Sequence, residues 1–140
     1  MLENAALLGM SHEQVAASLA EAQPVRTPRR LSSGALGSLR VPDALCEGAH
    51  FEQTLFFAHQ KLTQMDLVLI SPGAEEALGR IQAALLQSLR ARLGPELAAG
   101  DSASWVSADA DVMLFRSGRP EHPSLRVVIK QRQLVDAGEL

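Results

Sequence analysis

Cys46 and His50 stand four residues apart in a 140-residue chain, and on a helix that spacing would set the thiol against the imidazole. A thiolate beside a histidine is the nucleophile arrangement of cysteine hydrolases. A regular helix, however, has no strained turn to expose the sulfur. No glycine loop of oxyanion donors adjoins the pair either, so Cys46 reads as a half-buried apolar residue. Asp109 and Asp111 form the second candidate. Alternating along a strand, they would hold two carboxylates about 7 Å apart, a separation suited to a divalent ion or to paired acid and base work. No third ligand accompanies them, and a solvated sheet face with cross-strand pairing to Arg126 or Lys130 accounts for both. His12, His50, His59 and His122, taken with Cys46, reproduce neither HExxH nor CxxC spacing. No metal and no cofactor is therefore expected. The glycines within residues 32–38 do not make a phosphate loop, because no strand precedes them and no Lys-Ser or Lys-Thr follows.

The elements that must position these residues fall into three stretches. Ser11 followed by Gln14 fits a capping box ahead of a short helix over residues 12–22, with Val15 and Leu19 on its apolar stripe. Residues 23–40 then carry two prolines, four arginines and no acid, and read as a flexible basic linker. From Asp43, a possible N-cap, the residues Phe51, Leu55, Ala58, Leu62, Met65 and Leu69 recur at spacings of four and three and predict a long helix. Leu67-Val68-Leu69-Ile70 at its end also reads as a short buried strand. Ser71 and Pro72 restart a helix that runs to Leu93, with Leu78, Ile81, Leu85 and Leu89 inward, and Gly94-Pro95 ends it. Beyond Gly100 the period becomes two: Val106 to Leu114 and Leu125 to Ile129 predict an antiparallel hairpin. The expected fold is α+β, two long helices packed on a small antiparallel sheet made by that C-terminal β-hairpin, with a flexible N-terminal arm. The domain limits follow as an arm over 1–41, a domain over 42–135 and a tail over 136–140.

Function is read mainly by exclusion. Thirteen basic and sixteen acidic residues leave a net charge of -3, without the basic field of most nucleic-acid-binding domains. The arginines at 26, 29, 30 and 40 lack interleaved aromatics for base stacking, so weak, salt-sensitive contact through the arm is all that nucleic acid could find. No apolar run reaches the roughly eighteen residues of a membrane span, and the N-terminus carries no cationic start with a long apolar stretch, which predicts a cytoplasmic protein. A single cysteine rules out an internal disulfide framework. Eleven arginines against two lysines suggest a GC-rich, most often bacterial, genome.

The reading that remains is a non-enzymatic adaptor, accessory or regulatory protein acting through protein–protein contact, by analogy of size and class a secretion-apparatus chaperone or accessory subunit. The alternatives are a small enzyme using Cys46 with His50 or Asp109 with Asp111, and the weak nucleic-acid binder. The hairpin carries apolar residues on both faces, and two helices cover only one. Met113, Phe115, Arg126, Val128 and Lys130 are therefore the expected interaction residues, facing a partner or a second copy.

Overall fold

Residues 2–70, 74–99 and 102–132 are described by a computed structural model. A 3-10 helix over Leu2–Leu7 leads into α1 (His12–Ser18), and the predicted capping box is in place: Ser11 Oγ accepts from the Gln14 N–H at 3.2 Å while Gln14 Oε1 accepts from the Ser11 N–H at 3.0 Å. The strands are β1 (Gln23–Pro24), β2 (Leu36–Cys46), β3 (Ala49–Ala58), β4 (Lys61–Leu69), β5 (Leu97–Ala99), β6 (Ser102–Val106), β7 (Ala110–Arg119) and β8 (His122–Gln131), with α2 (Glu75–Leu93) between β4 and β5. All pairings are antiparallel, in one eight-stranded sheet of order β1-β2-β3-β4-β8-β7-β6-β5.

This corrects the expected fold class. The chain is a large antiparallel sheet with one main helix, not two long helices on a small sheet. The predicted helix over residues 43–69 is instead a meander of β2, β3 and β4, and Asp43 lies within β2 rather than capping a helix. The predicted linker supplies β1 and the first half of β2, tied by Val25 N–H to Ser38 O at 3.0 Å and Gly37 N–H to Arg29 O at 2.9 Å. β2 also runs straight through the boundary placed at residues 41 and 42. Tight two-residue turns join the meander, with both central residues at positive φ: Glu47 (51°) with Gly48 (75°), then His59 (52°) with Gln60 (66°). Such turns match the twist of the strands they connect. The hairpin of β7 and β8 forms as read, but it is interior: β8 pairs with β4 and β7 with β6. Leu67 and Val68, the possible third strand, supply that pairing. Helix α2 begins at Glu75 with Ala74 as its cap, so the Ser71 and Pro72 start and the 136–140 tail lie outside the described residues.

The core lies on one face of the sheet. Leu78, Leu85 and Leu89 of α2 meet Leu125, Val127 and Ile129 of β8, Val112 and Leu114 of β7, and Phe51, Leu55, Met65 and Leu67 of the meander, nearly all fully buried. Leu7 and Val15 join this cluster, and Gly9 and Met10 exchange backbone hydrogen bonds with Leu62 at 2.8 Å. The N-terminal segment is thus part of the core layer. Arg116 clamps the start of α2 by donating to Gln82 Oε1 at 2.8 Å and to Glu75.

Candidate functional site

Strand register assigns the opposite, outer face residue by residue. One row runs Phe56, Gln64, Lys130, Asp111 and Val106, the next Thr54, Asp66, Val128, Met113 and Ser104, and a third Glu52, Val68, Arg126 and Phe115. Neither helix reaches this face, since both pack on the other. The five expected interaction residues, Met113, Phe115, Arg126, Val128 and Lys130, therefore share one surface. Val106 (55%), Met113 (42%) and Val68 (37%) are exposed there, and Phe115 and Val128 are half-buried. Isolated exposed apolar side chains are ordinary, but contiguous ones mark a contact surface.

At the other end of the outer face, residues 25–29 run along the edge of β2, bonded to it through Val25 N–H to Ser38 O and Gly37 N–H to Arg29 O. Arg29 stretches from the sheet edge across β3, its guanidinium 5.3 Å from the centre of the Phe56 ring, to stand 3.6 Å from Asp66 Oδ2. Gly37 on β2 leaves room for the Phe56 ring, since an added Cβ would lie 2.9 Å from Phe56 Cε1. Asp66 is 2% exposed, and an isolated carboxylate there would be strongly disfavoured. Two donors and an ion pair hold it: Arg126 bonds Oδ2, Gln64 Nε2 donates to Oδ1 at 2.8 Å, and the Arg29 guanidinium adds its charge from 3.6 Å. Beside Arg29 the outer face holds a groove of about 640 Å³, open to solvent, whose polar lining includes Arg29, Arg40, Glu52, Asp66 and Arg126.

The chemistry candidates are not assembled. Cys46 pairs in register with Ala49 and His50 with Leu45, so alternation sends thiol and imidazole to opposite faces. His50 Nδ1 bonds Asp43 Oδ1 at 2.6 Å in an exposed pair, while Cys46 is buried in the core and its thiol pKa is raised, chiefly by that burial. Asp109 lies in the turn before β7 rather than on the strand, so it does not share a face with Asp111. Asp111 stands across from Lys130, as its cross-strand pairing required, but one carboxylate oxygen is buried without a hydrogen-bond partner, and Arg126 bonds Asp66 instead. Among the described residues no three His, Cys, Asp or Glu side chains converge as metal ligands. Nor is any described helix long and apolar enough to cross a membrane. Asp66 is the site residue that sequence reasoning missed. Its signal was a lone carboxylate inside the apolar run from Met65 to Ile70. Neither protein-family models, nor curated proteins, nor solved structures give a match to this chain.

Proposed function

We propose that this protein is a non-catalytic interaction module of adaptor or accessory type, and that the outer sheet face from β4 to β6 takes a second copy of the chain. The observation that carries the reading is the uncovered, mixed apolar and charged surface of Val68, Met113, Phe115, Val128, Asp111 and Lys130. Its charge pattern suits self-association. Aligned sheets pack about 10 Å apart and within about 30° of parallel. A two-fold axis parallel to the strands, between β7 and β8, lays each β8 over the partner's β7. Lys130 then meets Asp111 of the partner subunit, Val128 meets Met113 of the partner subunit, and Arg126 meets the ring of Phe115 of the partner subunit. Every pairing occurs twice, as an isologous interface requires. An axis across the strands would instead set Lys130 against Arg126 of the partner subunit.

Sedimentation at micromolar concentrations tests this. The expected results are a dimer for the native chain, a monomer for Val128→Lys, weakened dimers for Lys130→Asp and for Asp111→Lys, and recovery when those two reversals are combined. A native chain that stays monomeric, or a dimer indifferent to all four variants, overturns the reading. The enzyme and nucleic-acid alternatives gain no comparable observation. Cys46 and His50 are separated, and of the arm's arginines Arg29 is engaged with Asp66 and Arg40 stands near Glu52.

A further inference from the structure

The outer face continues past the strands that carry the dimer contact. Register extends the row of Thr54, Asp66, Val128, Met113 and Ser104 onto β5, where Leu97 stands opposite Ser104. Leu97 therefore points to the outer face. At 66% exposure it is, with Leu45, the most exposed large apolar side chain among the described residues. At the other end of the same row, Thr54 lines the open groove of about 640 Å³, with Val25 and Val68 as apolar walls and Gly37 adding no side chain. An exposed leucine on one edge strand and an open groove on the other half of the sheet are thus placed at one level along the strands.

A two-fold axis between β7 and β8 exchanges strands that stand equally far from it on either side. It brings β6 over β4 of the partner subunit and β5 over β3 of the partner subunit, while β1 and β2 extend past the partner's edge. Along the row, Ser104 falls on Asp66 of the partner subunit and Leu97 on Thr54 of the partner subunit. The sizes match, because the arginine-capped Asp66 meets a small hydroxyl and the groove meets a leucine. A standard interface engages roughly 20–30 residues a side, more than the three rows of β4, β8, β7 and β6 supply, so a stable dimer needs β3 and β5 as well.

We propose that Leu97 of each subunit seats in the groove beside Thr54 of the other, closing the dimer at both ends. The inference rests on the self-association reading and adds to it the occupant of the groove.

Sedimentation over a concentration series tests it. Leu97→Ser should weaken the dimer at least tenfold, because the contact is lost twice per dimer. It should leave the melting temperature of the dilute monomer near the native value, since that side chain stands mostly in water there. Leu45 is equally exposed but lies on β2, outside the partner's footprint, so Leu45→Ser should leave association unchanged. In a Cys46→Ala background, a short bis-maleimide should link chains that carry both Thr54→Cys and Leu97→Cys into covalent dimers, and neither single variant. A native dimer that Val128→Lys dissociates but Leu97→Ser leaves intact overturns the seating alone, as does a double-cysteine dimer that stays unlinked. Covalent dimers of Leu97→Cys by itself also overturn it, because they put the two β5 strands together. A native chain that is monomeric throughout the series removes the self-association reading and the seating with it.

Discussion

The two faces of the sheet are held in different ways. On the inner face, α2 and the N-terminal segment press Leu85, Leu89, Val15 and Leu7 onto β8, β7 and β4, with the side chains almost wholly excluded from water. On the outer face there is no helix. Order there comes from a buried carboxylate, three hydrogen-bonding or charged partners and an edge segment bonded to β2. The contrast separates two tasks: apolar area on the inner face supplies folding free energy, and polar geometry on the outer face supplies a shaped, charged surface at little net gain in stability.

Deleting residues 1–22 strips the inner face of Leu7 and Val15 and breaks the exchange between Met10 and Leu62, so the cooperative thermal transition should be lost. A truncated chain melting within a few degrees of the native one would show that this segment merely decorates the core. Leu85→Ala and Leu89→Ala leave cavities and should each cost about 2–5 kcal/mol in denaturant titration. On the outer face, Arg126→Met leaves Asp66 with Arg29 and Gln64 only and should cost about 1–3 kcal/mol, below the figure for a wholly unpaired buried charge. Asp66→Leu removes the charge itself and should be close to neutral, because the arginines it frees can reach water. If Asp66→Leu costs more than Arg126→Met, the network stabilises rather than shapes, and the contrast between faces fails. Val128→Lys should change monomer stability by less than about 0.5 kcal/mol while abolishing association.

Cys46 gives a titration of the inner face. Burial raises its thiol pKa above the unfolded value, so the fold favours the neutral thiol. That contribution is whole below the ordinary thiol range and disappears as pH rises through the raised value, so stability should decline on the alkaline side in the native chain and not in Cys46→Ala. Iodoacetamide should label the thiol slowly at neutral pH and rapidly in denaturant.

What could be read in advance depended on which spacings are diagnostic. Helix α2 and the hairpin of β7 and β8 were legible because each repeats an unshared period over many residues, and the capping box of α1 is a local signature. The meander was not, because a spacing of four returns a side chain to the same side of a helix and also to the same face of a strand. Phe51 to Leu55 and Met65 to Leu69 fit both. The steps of three that tipped the reading toward helix have other causes: Leu62 to Met65 spans the extra residue of the bulge opposite Phe56 and Phe57, and Leu55 to Ala58 ends beside a turn. That turn, His59-Gln60, contains no glycine or asparagine to announce positive φ, whereas Glu47-Gly48 was the available clue. The arm was misread because its order comes from backbone pairing along an edge, which leaves no mark on composition. The outer groove was invisible because Arg40, Asp66 and Arg126 come to one face only through a register spanning four strands, β2, β3, β4 and β8, with Arg29 reaching in from the edge.

The seam between β4 and β8 joins segments made at different times on the ribosome, as the 60-residue separation of Asp66 and Arg126 records. A nascent chain at typical synthesis rates spends on the order of several seconds with β4 finished and β8 not yet available. During that interval helix α2 can shelter a face of the first meander but not the edge, where Leu67, Val68 and Leu69 offer unpaired backbone to any neighbouring chain. A stop before His122 would make that exposure permanent, so truncated products should aggregate.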